Sequence, residues 1–133
     1  MSEAILEMQM KFVGTQKIIK GQLERNLAPL TIQAMMDIAP FTRRAMMNVG
    51  AIKSYLMILI EIKRGREKTV TQSVSKGDIV YDPMQDAIYI IYKEGKLRNP
   101  VLKLGVLSEG LDIVPTVTNG TMVEISFKDL TTK

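Results

Sequence analysis

The chain contains no cysteine and no histidine. Without cysteine it has no disulfide and no thiol nucleophile, and without either residue it has no zinc site built on thiolate or imidazole. The missing histidine also removes Ser-His catalytic pairs and the usual side chain for proton transfer near neutral pH. Tryptophan is absent as well. No glycine-rich phosphate loop occurs: Gly14, Gly21, Gly50, Gly65 and Gly77 stand singly, as turn or bulge residues. No cofactor and no metal ion are therefore expected. Long apolar runs are also lacking. Tyr55 to Ile60 is ended by Glu61, far short of the ~20 residues that span a bilayer. The opening Met-Ser-Glu-Ala is acidic where a signal peptide needs a basic region. A cytoplasmic location follows as the expectation, and the absence of cysteine fits a reducing compartment without demanding one. Asn119-Gly120-Thr121 matches a glycosylation sequon, and without export it reads as a turn.

What is present describes one folded domain over residues 1–133. A chain of 133 residues buries roughly two-thirds of its unfolded surface. Hydrophobic residues at 46% and charged residues at 24% are ordinary for a globular protein. The net charge of +4 is mild for a dedicated nucleic-acid binder. The basic cluster Lys63-Arg64-Gly65-Arg66-Glu67-Lys68 reads first as a solvated hairpin tip, and second as a phosphate-binding patch.

Strand periodicity dominates. Leu6, Met8, Met10 and Phe12 alternate with polar residues, and Ile19, Gly21 and Leu23 do the same after Gly14-Thr15-Gln16, so an antiparallel hairpin opens the chain. A helix follows over about 29–39, with Pro29 in its first turn and Pro40 as its stop. Leu27, Leu30, Ala34, Met35 and Ile38 form its predicted apolar face. Phe41 to Val49 returns to strand, and 50–53 is a connection. Ser54 to Ile62 is apolar enough to be buried on both faces. Lys63 to Glu67 is the expected tip of the next hairpin, and Thr69 to Val74 a polar edge strand. Ile79 to Tyr81 and Ala87 to Tyr92 flank the Asp82-Pro83 turn. Lys93 to Pro100 reads as a polar loop and Val101 to Leu107 as a strand. The segment around Pro115 reads as a short covering turn, and Val123, Ile125 and Phe127 lie on a closing strand. Many short strands and one helix predict a mainly β fold: a closed antiparallel barrel of about eight strands, with the helix capping an end.

The order of these pieces resembles the cyclophilin-like superfamily, closest to its small prokaryotic members of unassigned function. Leu27-Ala-Pro-Leu-Thr-Ile-Gln-Ala-Met36 is similar to the Ala-Pro-x-Thr helix that follows the first hairpin in cyclophilins. Gly77-Asp-Ile-Val-Tyr-Asp-Pro83 with Ala87-Ile-Tyr-Ile-Ile-Tyr92 resembles a Gly-Asp segment and following strand of the small members. Asn99-Pro-Val-Leu-Lys-Leu-Gly105 with Leu111 resembles their late strand and capping turn. The resemblance implies a cyclophilin-like barrel. It does not carry over a prolyl isomerase site. That activity uses a Phe-His-Arg segment with neighbouring aromatic and histidine side chains. Here Phe41-Thr42-Arg43 stands too soon after the helix, and His and Trp are missing.

Candidate chemistry is correspondingly sparse. Asp78, Asp82 and Asp86 recur at intervals of four and read as turn residues ahead of a cation site. Met8, Met10, Met35 and Met47 read as core, whereas Met46 and Met84 fall off the predicted apolar faces. Arg43, Arg44, Tyr55, Tyr81, Met84 and Tyr89 are the candidate lining of a groove at the barrel mouth. Arginine would supply planar donors there, and tyrosine an apolar wall with a polar tip. The expected role is a non-catalytic binding module for a peptide or small molecule. Weak prolyl isomerisation through Arg43 or Arg44, and nucleic-acid association through 63–68, are the alternatives. An exposed strand edge would offer a route to a homo-oligomer.

Overall fold

The computed structural model describes residues 5–47, 54–67 and 70–130. The opening hairpin is β1 (Ile5–Phe12) and β2 (Ile18–Glu24), paired antiparallel with Met8 opposite Gly21 and Met10 opposite Ile19. After a 3₁₀ turn over Arg25–Leu27 comes the only α-helix among the described residues, α1 (Pro29–Ile38). The remaining strands are β3 (Phe41–Met46), β4 (Tyr55–Leu59), β5 (Thr71–Val74), β6 (Asp78–Asp82), β7 (Ala87–Ile91), β8 (Gly95–Glu109) and β9 (Met122–Asp129). A second 3₁₀ turn, Val114–Thr116, precedes β9.

The strands run β2-β1-β9-β3-β4-β7-β6-β8, and β8 pairs back onto β2. Every adjacent pair is antiparallel. This is a closed eight-stranded antiparallel barrel, mainly β, with one helix, as the sequence predicts. Closure leaves these eight strands without a free edge. Among the described residues the ninth strand, β5, pairs only with β8 and lies outside the ring, as expected of a polar edge strand.

Strand alternation fills the barrel. Leu6, Met8, Met10 and Phe12 of β1, Leu56 and Ile58 of β4, Ile79 and Tyr81 of β6, and Ile88 and Ile90 of β7 all point inward and are fully buried. The opposite faces of β4, β6, β7 and β8 are also covered. Met57, Val80, Ala87, Tyr89, Ile91 and Val101 form a second apolar cluster with Val74 of β5. That explains why β6 and β7 are buried at every position. One face packs on the barrel core, and the other lies beneath β5 and the start of β8.

Several expectations are corrected. The helix buries Ala28, Thr31, Ile32 and Met35, while Leu30 is 57% and Ile38 40% exposed. Ala28, Ile32 and Met35 sit at i, i+4 and i+7 and join the interior cluster, so the apolar stripe is rotated from the predicted one. Thr31 tolerates burial because Glu67 accepts from its backbone N–H at 2.7 Å and its hydroxyl at 2.5 Å. Glu67 also accepts the Leu30 N–H at 3.0 Å. It thereby caps a helix whose own N-cap residue is Ala28, placing a carboxylate at the positive end of the helix dipole.

Residues 63–67 are consequently no hairpin tip. β4 pairs with β3 and β7, β5 pairs with β8, and 61–67 form an irregular strap. The Asp86 carboxylate holds this strap by accepting the Ile62 and Lys63 N–H groups, each at 3.1 Å. The Tyr81 hydroxyl accepts the Arg64 N–H at 3.2 Å. Nor do residues 95–100 form a loop; they are the first part of β8, paired with β5 across a register shift. Gln72 donates its amide to the Leu97 and Arg98 carbonyls at 3.2 and 2.9 Å. Pro100 is accommodated where β8 has only β5 beside it, a position that tolerates a missing donor. Within the predicted 41–49 strand, Asn48 and Val49 lie outside the described residues, as do the 50–53 connection, Lys68 and Thr69.

Candidate functional site

The second apolar cluster has a polar margin, and there the barrel wall carries a cavity of about 420 Å³. Its floor comes from outward-facing residues of adjacent strands: Tyr55 and Met57 of β4, Tyr89 of β7 and Asp82 of β6. Register brings them together. Met57 pairs with Tyr89, Tyr89 with Val80, and Asp82 with Ala87. The start of β8 forms the opposite side through Lys96, Leu97, Arg98 and Asn99, while Gln85 and Ser54 close the ends.

Tyr55 and Tyr89 stack with ring centroids 4.1 Å apart and planes 20° from parallel. Such a pair adds roughly 1 kcal/mol beyond its buried area. The Tyr89 hydroxyl donates to Asp82 Oδ2 at 2.6 Å. Asp82 is 1% exposed, and a carboxylate so buried must find donors. Besides Tyr89 it accepts the Met84 N–H at 2.9 Å and the Asn99 amide at 3.3 Å. The carboxylate thus positions one cavity tyrosine and one amide, and also shapes the Asp82-Pro83 turn.

Burial raises the Tyr89 phenol well above its ordinary value of 10.0, and the hydrogen bond and negative charge of Asp82 push it further. Tyr81 is raised, first by burial and then by its bond to Asp86, and Tyr55 chiefly by burial. A phenol whose folded pKa lies above its unfolded one contributes stability that is complete below the unfolded value and declines as pH rises past it. Stability should therefore fall above about pH 10. Absorbance at 295 nm should show these tyrosines ionising together with loss of structure. Their titration near the free-phenol value in a folded protein would contradict the burial described.

The sequence-derived candidates do not all meet. Tyr55 and Tyr89 lie in the cavity, on the outward face of the barrel wall. Tyr81 points into the interior, where its hydroxyl donates to Asp86 at 2.6 Å. Met84 is 71% exposed on the neighbouring turn. Arg43 lies on β3, with its guanidinium 5.0 Å from the Phe41 ring centroid. It donates to the Thr42 and Ile60 carbonyls at 3.0 and 3.3 Å, and its Nε lies 4.0 Å from Glu61. Arg44 donates to the Gly120 carbonyl at 2.9 Å. Both arginines tie backbone together and neither lines the cavity.

Lys96, Leu97, Arg98, Asn99, Gln85, Ser54 and Met57 are cavity residues that sequence reasoning did not single out. The polar–apolar alternation of Lys96-Leu97-Arg98 was the available signal. Of the spaced aspartates, Asp82 and Asp86 each hold a tyrosine hydroxyl. Asp78 caps the Ser75 N–H at 2.8 Å and lies 3.6 Å from Lys103. Among the described residues no acidic cluster is arranged to hold a metal ion, and no helix is long and apolar enough to cross a membrane.

No family model matches the chain, and no curated protein is similar to it. Among solved structures, the chain is similar to the solution structure of the hypothetical protein AF2241 from Archaeoglobus fulgidus. The TM-score is 0.73 at 19% identity, over 94% of this chain and 96% of that one. The likeness extends to the fold alone.

Proposed function

We propose that this protein is a non-catalytic binding module of the cyclophilin-like type, taking a small molecule or peptide in the wall cavity over Tyr55 and Tyr89. The observation that carries the reading is the juxtaposition, in one cavity, of a stacked tyrosine pair, a buried carboxylate that orients it, and polar side chains from a facing strand. Its volume of about 420 Å³ falls in the range of small-molecule sites, ~300–1,000 Å³. The helix placed directly after the first hairpin, within a closed eight-stranded barrel, supports the cyclophilin-like assignment. Arg43 and Arg44 are engaged in holding backbone carbonyls, which argues against either polarising a prolyl amide.

Calorimetric titration against aromatic fragments and short peptides tests this role. Binding should be present in the native protein and weakened roughly five- to tenfold in Tyr55→Ala, which removes a ring contact of about 1 kcal/mol together with its apolar area. Tyr55 is only half-buried, so the variant should fold. Equal affinity in both proteins would place binding elsewhere. A protease-coupled isomerisation assay should show the uncatalysed rate; catalysis lost on Arg43→Ala or Arg44→Ala would overturn the non-catalytic reading.

A further inference from the structure

We infer that the wall cavity selects a ligand carrying a carboxylate beside a flat or apolar body; this rests on the binding role proposed above. The argument turns on which polar groups remain uncommitted. Asp82, the only acidic side chain lining the cavity among the described residues, already accepts from Tyr89, Met84 and Asn99. With the Tyr89 proton lying against it, little of its capacity is left for a cationic ligand. Lys96 and Arg98 line the opposite side, are exposed, and form no ion pair among the described residues. They stand two residues apart on β8 and share the face opposite Leu97 and Asn99, so they line the cavity as exposed side chains at its edge while Leu97 and Asn99 face its floor.

A lysine ammonium and an arginine fork in that spacing suit a carboxylate better than a neutral amide, because a charged acceptor shortens and strengthens each bond. Below them, Met57, Leu97 and the ring of Tyr55 offer apolar surface for the rest of the ligand. The same chemistry could come from a free organic acid or from the C-terminus of a peptide.

The test is a matched series titrated by calorimetry at low salt: phenylacetate, phenylacetamide and phenethylamine. Beside it runs one tetrapeptide ending in Phe, as the free acid and as the C-terminal amide. The native protein should bind each acid at least about tenfold more tightly than its amide, a difference of ~1.4 kcal/mol. That preference should shrink with added salt and vanish in the Lys96→Ala/Arg98→Ala double variant, whose changes are at exposed positions. The small acid gaining over the peptide acid, or the reverse, identifies the source of the carboxylate. Equal binding of acid and amide, or retention of the preference in the double variant, overturns the carboxylate assignment while the binding role stands. Tightest binding by the amine overturns it in favour of Asp82 as the recognising charge. If neither acid, amide nor amine binds, both the assignment and the role it rests on fail.

Discussion

Gly105→Ala should prevent the barrel from closing normally. Gly105 lies on β8 opposite Leu23 of β2, the pair of strands that completes the ring. A Cβ added there would run into the carbonyl oxygen of Gln22, its carbonyl carbon and the Leu23 Cα. All three are backbone atoms, so no side chain can rotate away and relief requires the strands to part. Overpacking in a well-filled region costs roughly 1–3 kcal/mol, and a clash with the backbone of the neighbouring strand belongs at or above the top of that range. Gly21, on the same seam, would meet mainly Ile79 Cδ1, the end of a flexible side chain, and alanine there should cost less. Gly95 has open space around its Cβ position and supplies the control. Urea unfolding should show Gly95→Ala within about 1 kcal/mol of the native protein and Gly105→Ala much less stable or unfolded. Equal stability of the two would mean that β2 and β8 do not approach as described.

The second large effect is expected at Asp86. Its backbone has a φ of +56°, a left-handed conformation that aspartate adopts more readily than alanine. Its carboxylate takes the Tyr81 hydroxyl and the N–H groups of Ile62 and Lys63. Tyr81 is fully buried inside the barrel, so when the carboxylate goes its hydroxyl is left with only the Arg64 carbonyl, a longer contact at 3.3 Å, in place of the 2.6 Å bond. Asp86→Ala would combine a buried donor with a lost partner, a released strap and backbone strain, together about 3–4 kcal/mol. Tyr81→Phe removes the same bond from the other side and leaves no orphaned donor on the ring. It should cost about 1–2 kcal/mol. A double-mutant cycle on unfolding free energies measures the coupling. Additive losses, or a near-neutral Asp86→Ala, would show that the Asp86–Tyr81 contact does not hold the strap.

Much of the architecture could be read from residue order. The hairpin at Met8–Gly21, the Pro29 helix start, the β5 edge strand and the count of barrel strands all follow from local period and turn chemistry, which act within a few residues. The misread features depend on contacts across the chain. The helix face is set by which side meets the barrel and by a cap from Glu67, more than thirty positions away. The 61–67 strap carries a hairpin-like glycine, yet it is held by Asp86 and Tyr81.

The site divides along the same line. Tyr81 and Tyr89 both lie in short strands buried on both faces, so polarity reveals no inner or outer parity for either. Register decides it: Tyr81 pairs with Ile88 and faces in, while Tyr89 pairs with Val80 and faces out. The Lys96–Asn99 side was concealed because Gly95 and Pro100 bracket it like a loop, until pairing with β5 makes it strand.

The most direct measurement is a methyl spectrum of the methionines during ligand titration. Met57 lies on the cavity floor, whereas Met8, Met10 and Met35 lie in the barrel interior and Met36 lines a separate groove of about 260 Å³ with Phe127 and Pro40. Titrating phenylacetate, its amide and the Phe-terminated peptides should move the Met57 resonance saturably and leave those of Met8, Met10 and Met35 in place. Tyr55→Ala should weaken the response. A Met57 signal unmoved by any of these ligands, or a response centred on Met36, would contradict the wall cavity as the binding site.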